Sequence, residues 1–115
     1  MNAVANGIDG DGELSLPETV VPVRFRSSLT LEEATRIAEQ RLPDFQALAG
    51  LQQKYYLQDA ATGEYAGLYL WRSHDDFAAF KDSELRASIG AAYKVIGEPR
   101  VEVFRPMMTL RDETA

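Results

Sequence analysis

Between Glu64 and Trp71 the chain alternates two apolar sets, Tyr65, Gly67, Tyr69 and Trp71 against Ala66, Leu68 and Leu70. Successive strand residues point to opposite faces, so this segment has no side to offer to water. It is expected to be an interior strand of a sheet covered on both faces. For a chain of 115 residues, the size of one ordinary domain, that requirement is severe.

The neighbouring segments supply the rest of such a sheet. Leu51 to Asp59 puts Leu51, Gln53, Tyr55 and Leu57 on one face, and a short turn around Gly63 joins it to the doubly apolar strand. That arrangement predicts an antiparallel hairpin. Upstream, Thr19 to Arg26 sets Val21, Val23 and Phe25 against Arg24 and Arg26, with Pro22 near the strand's start or at an unpaired position. Thr30 and Glu33 form a capping box, and Leu31, Ala34, Ile37, Ala38, Leu42 and Phe45 follow at helical spacing. Pro43 is expected to bend or restart that helix, and Gly50 to end it. Downstream, Ser73 caps a helix anchored by Phe77 and Phe80, and Ser83 caps a second bearing Leu85, Ile89 and Tyr93. After Gly97 and Pro99, Val101 to Arg105 reads as the last strand.

The order is β-α-β-β-α-β, an α+β, ferredoxin-like fold with an antiparallel sheet and helices on one face. The bare face of that sheet needs a cover. In so short a chain the simplest one is a second copy of the same sheet, giving a twofold dimer.

Charge divides the chain unevenly. There are 12 basic and 18 acidic residues, net -6, yet residues 1–18 hold Asp9, Asp11, Glu13 and Glu18 and no Lys or Arg. Residues 1–18 read as a flexible acidic arm and residues 19–115 as a single domain. The stretch from Gly7 to Glu18 approaches the spacing of a calcium loop. Gly7 stands where the first carboxylate belongs, however, and Pro17 where the exiting helix should begin, so an acidic tail is the better reading.

Composition excludes several function classes. The acidic balance argues against nucleic acid and anionic membranes. No cysteine is present, which removes disulfides, thiolate metal sites and a cysteine nucleophile. The single histidine, His74, cannot build a multi-histidine metal centre within one chain. No run approaches the roughly 20 apolar residues of a membrane span, and no secretory signal begins the chain, so a cytoplasmic location is expected. Tyr55, Tyr56, Tyr65, Tyr69, Trp71, Phe77, Phe80 and Tyr93 crowd the middle of the sequence. Such density serves a core, a dimer contact or an aromatic-lined pocket.

One run is more specific. Tyr69, Trp71, Ser73, Phe77, Phe80 and Ser83 across a strand–helix junction, followed by Ala92, Tyr93, Gly97, Pro99, Val101 and Phe104, resemble the YdhR-like monooxygenases. These belong to the dimeric α/β-barrel superfamily, with the antibiotic-biosynthesis monooxygenases. The resemblance implies a homodimer with sheets face to face and a cavity between each sheet and its own helices. It also implies oxygenation of a small hydrophobic or aromatic, phenol- or quinol-like substrate without metal, flavin or other cofactor. Tyr55, Tyr69, Trp71 and Phe80 would line the pocket, and His74, Tyr93 and Arg26 would handle protons or an oxyanion. Haem-degrading relatives use an Asn, a Trp and a His ligand. Phe25, Phe80 and Gly90 stand at those positions here, which argues against haem chemistry. The alternative from another class is a non-catalytic, small-molecule-binding or stress-related homodimer.

Overall fold

The computed structural model describes residues 16–111, so most of the acidic arm and of the imperfect calcium loop lies outside the described residues. The elements are β1 (Thr19–Ser27), α1 (Leu31–Gln46), β2 (Leu51–Gln58), β3 (Tyr65–Trp71), α2 (His74–Lys81), α3 (Glu84–Ala92) and β4 (Val95–Val101). Strand pairing is antiparallel throughout, in the order β2-β3-β1-β4, which gives the ferredoxin-like α+β fold. The doubly apolar β3 is an interior strand. No helix among the described residues is long and apolar enough to cross a membrane.

All three helices start as their sequences predict. Thr30 Oγ1 accepts from the Glu33 amide at 3.2 Å, and the Glu33 carboxylate accepts from the Thr30 amide at 2.9 Å. Ser73 and Ser83 accept from the amides of Asp76 and Arg86, each at 3.1 Å. The β2–β3 turn is closed by Asp59, whose carboxylate accepts from Ala61 and Thr62 and pairs with Arg24.

Four expectations need correction. α1 continues through Pro43 and ends at Gln46, capped by Ala47 and not by Gly50; the proline gives up the one bond to the Glu39 carbonyl, so near the helix end that little helix follows to be displaced. β4 lies at Val95–Val101 rather than from Val101 to Arg105, and Gly97 and Pro99 sit within it. The register slips there: Arg24 pairs with Arg100 but Arg26 with Ile96, so the three residues Gly97, Glu98 and Pro99 bulge opposite one residue of β1. β4 is an edge strand, where a bulge and a proline are both tolerated. In β2, Leu51 pairs with Trp71 but Gln53 with Leu70, which makes Gln52 an extra residue. The bulge breaks the face expected to run from Leu51 to Leu57. Finally, the folded part begins before Thr19. Pro17 is buried, the Glu18 amide donates to the Trp71 carbonyl at 2.9 Å, and the Glu18 carboxylate accepts from the His74 amide.

The core lies between sheet and helices, where Val21, Tyr69 and Trp71 meet Phe45 of α1, Phe77 and Phe80 of α2, and Ile89 of α3. Trp71 is 1% exposed and its ring lies 5.2 Å from Phe80 and 6.2 Å from Tyr69, parallel to the latter within 2°. The opposite sheet face carries Val20, Leu68 and Leu70, partly buried, with Tyr55, Leu57 and Phe104 exposed around them. Trp71→Ala opens the largest fully buried volume, and it is expected to cost about 3–5 kcal/mol in urea unfolding. A loss below about 1 kcal/mol would contradict this placement of the core.

Candidate functional site

The helix-facing row of β3 reads Tyr65, Gly67, Tyr69, Trp71, and its third member divides the interior in two. Toward Trp71 the space is filled by aromatic rings. Toward Tyr65 it is open. α1 covers that end with the small side chains Ala34, Thr35 and Ala38, bordered by Leu31, Glu39 and Leu42, and β3 offers no side chain at Gly67. The result is a cavity of about 290 Å³, walled further by Val23, Phe25, Tyr56, Ile89 and Tyr93. A wider hollow of about 510 Å³ between α3 and β4, lined by Arg86, Glu98 and Pro99 among others, shares Val23, Phe25, Tyr69 and Ile89 with it.

The polar groups of the cavity are few. Tyr93, at the C-terminal end of α3, is 7% exposed, and its hydroxyl is buried with no hydrogen-bond partner. A buried hydroxyl left unpaired costs free energy, so it is a point where a ligand would gain. Tyr65 also faces the cavity, but its hydroxyl donates to the Leu29 carbonyl at 2.8 Å and is already satisfied. Burial raises the Tyr56, Tyr69 and Tyr93 hydroxyls above the usual phenol range.

Lys54 is the member that the sequence reading missed. The β2 bulge turns it inward beside Tyr56 and Gln58, all three lining the cavity. Its ammonium sits 3.8 Å from the ring centre of Phe45, 4.3 Å from Tyr56 and 4.6 Å from Tyr69. Gly67 makes room for the stem: a Cβ there would lie 3.2 Å from Lys54 Cε and 3.0 Å from Tyr69 Cε1. Among the described residues no carboxylate forms an ion pair with Lys54. Burial, helped by the nearby Arg41 charge, pushes its amine down to about 7. The three ring faces act the other way and favour the ammonium.

The expected site residues separate. Tyr69 and Tyr93 line the cavity. Trp71 and Phe80 do not; they form the packed aromatic core on the far side of Tyr69. Tyr55 points to the opposite sheet face, because the bulge at Gln52 reverses the alternation of β2. Arg26 is exposed on β1, on the face away from Phe25. His74 is exposed at the start of α2, with its ring edge-on to Phe77 at 5.8 Å, at the Trp71 end of the sheet. Among the described residues no three His, Cys, Asp or Glu side chains cluster so as to hold a metal ion.

Comparison with known proteins gives the fold. The chain is similar in structure to SnoaB, a cofactor-independent oxygenase from Streptomyces nogalater, with a TM-score of 0.67 and 16% identity, over 84% of this chain and 99% of that one. A protein of unknown function from Nitrosomonas europaea gives 0.67 at 14% identity, over 84% and 96% of the two chains. A dimeric ferredoxin-like protein of unknown function from Thermobifida fusca gives 0.61 at 15%, over 84% and 100%. The likeness is one of fold. No protein-family model matches the chain, and no curated protein matches it.

The cavity lysine makes stability depend on pH. Its folded value of about 7 lies below the ordinary 10.5, so between those values the unfolded chain binds the extra proton. Stability therefore rises with pH across that window. It falls again above about pH 10, where unfolded tyrosines ionise before the buried ones. Lys54→Met removes the first limb only. Its melting temperature is expected to exceed that of the parent most at about pH 6, with the difference narrowing toward about pH 9. A difference independent of pH would contradict the buried amine.

Proposed function

We propose that this protein is a cofactor-independent oxygenase of small phenol- or quinol-like aromatic substrates, acting as a homodimer. The observation that carries the reading is the aromatic-lined cavity between α1 and the sheet, with Tyr93, whose buried hydroxyl has no partner, among the residues that line it. Its volume of about 290 Å³ suits a ligand of one or two rings. The fold shared with SnoaB and the YdhR-like run from Tyr69 to Ser83 support the same chemistry.

The reaction needs no electron carrier. A phenol with a free para carbon and one dioxygen give a para-quinone and one water, the ring supplying all four electrons. The protein's part is to bind the ring between Tyr69, Tyr56 and Ile89 and to exclude water. The Tyr93 hydroxyl would then donate to the ring oxygen as charge develops on it. His74 and Arg26 are not among the residues that line the cavity and have no part in this reading.

The partner follows from the other sheet face. Val20, Leu68 and Leu70, ringed by Tyr55, Leu57 and Phe104, form an apolar surface bordered by Arg24, which pairs with Asp59 and Glu64, and by Arg26 and Arg100 on the same face. A second copy laid on it would bury on the order of 800 Å² per subunit. Light scattering at micromolar concentration should give about twice 12.8 kDa; a mass of one chain would refute the dimer.

Oxygen consumption with a panel of phenols and hydroquinones, in chelator-treated buffer, tests the activity. Uptake is expected with at least one, and Tyr93→Phe should lower it at least about tenfold while the fold is kept. Binding without uptake across the panel would instead favour the non-catalytic, ligand-sequestering homodimer.

A further inference from the structure

Lys54 is a costly residue to place where it stands. Its stem crosses β3 over Gly67, its amine lies against three aromatic rings, and it has no carboxylate partner among the described residues. A buried cation without a counter-charge is destabilising, and a methionine would fill the same space without that cost. The groups around it do not remedy the deficit. β2 contributes Tyr56 and Gln58, β3 contributes Tyr69, and the end of α3 contributes Tyr93. α1 contributes Arg41, a second positive charge, and Glu39 on the cavity's exposed margin. Arg86 of α3 adds a further positive influence on Tyr69. The interior is thus biased toward positive charge, and the missing negative charge has a place beside the amine, in the cavity.

We propose that Lys54 is the acid-selecting group of the cavity: it takes the proton of an aromatic hydroxyl and holds the resulting phenolate as an ammonium–phenolate pair. The step balances within the pair. The ligand's O–H bond breaks, an N–H bond forms on Nζ, and no electron or further reactant is involved. An amine held near neutrality is suited to the exchange, because it can accept a proton at pH 7 and keep it once the anion lies alongside. Among ligands of the right size, the site then prefers those with an acidic ring hydroxyl to their methyl ethers. This rests on the proposed cavity function and specifies the substrate's ionisation state within it, since a phenolate gives up electrons to dioxygen more readily than a phenol.

The probe is 4-nitrophenol, whose anion absorbs in the visible, with 4-nitroanisole as the ether that has no proton to give. With the full chain, the bound phenol is expected to titrate about 1–3 units below the free compound and to show the anion band at pH 6. Lys54→Met should abolish that shift and weaken 4-nitrophenol at least tenfold, leaving 4-nitroanisole within about twofold. Lys54→Arg, which supplies charge but cannot accept the proton, should keep the lowered titration, the proton then leaving to solvent. Bound 4-nitrophenol titrating at or above its free value, or no binding by the parent chain, would overturn the proposal. If 4-nitroanisole binds while the phenol titrates unshifted, the pairing fails and the aromatic cavity stands. If the anion binds but no phenol consumes oxygen, the pairing stands and the oxygenase reading fails.

Discussion

Bulky rings on one face of a strand stand apart only if some residue between them yields space, and on β3 that residue is Gly67. Tyr65 and Tyr69 rise on either side of it, and α1 meets the gap with Ala34 and Ala38 at its middle and with Leu31 and Leu42 toward its two ends. Small residues opposite one another cannot close the distance between a helix and a sheet, so the interior stays open there. Two residues further along, Tyr69, Trp71, Phe80 and Phe45 pack ring against ring and fill the interior. Tyr69 is the shared wall. The same tyrosine that completes the core presents its other side to the cavity, so the stability of one half fixes the shape of the other.

Within that cavity two residues depart from what stability alone would select. The Tyr93 hydroxyl is buried without a partner, and Lys54 brings an amine into a wall of rings. Each would be better tolerated as an apolar residue in an ordinary core. Their costs fall in one place and have one remedy, a ligand with an oxygen that accepts from Tyr93 and carries charge opposite Lys54. Trp71 Nε1 in the packed core and Arg41 Nε are also buried without a partner, but only the cavity joins an unpaired hydroxyl to an unpaired amine in space that a ligand can enter, as expected where binding as well as packing has shaped the sequence.

Much of the fold was legible in the residues. The caps at Thr30, Ser73 and Ser83, the hairpin turn at Gly63 and the interior position of β3 follow from local chemistry and alternation, and each stands where expected. The failures share a cause. In sequence Gly97 and Pro99 have the chemistry of breaks between elements, whereas an edge strand accommodates them as a bulge. In β2 Leu51, Gln53, Tyr55 and Leu57 form the more apolar of the two alternating sets, so strict alternation turns Tyr55 inward and Lys54 out. One extra residue at Gln52 reverses both. Nothing short of the pairing register reveals such a bulge. Trp71 and Phe80 belong to the same junction as Tyr69, and the sequence could not show that Tyr69 separates them from the open space.

The account turns on where a phenolic ligand rests. A crystal structure of the chain grown with a one-ring phenol decides it. The predicted result is density between β3 and α1, the ring against Tyr69 and its oxygen within hydrogen-bond distance of both Lys54 Nζ and the Tyr93 hydroxyl. A ligand seated elsewhere, or a cavity closed by inward movement of α1 with Lys54 turned out to water, would contradict it.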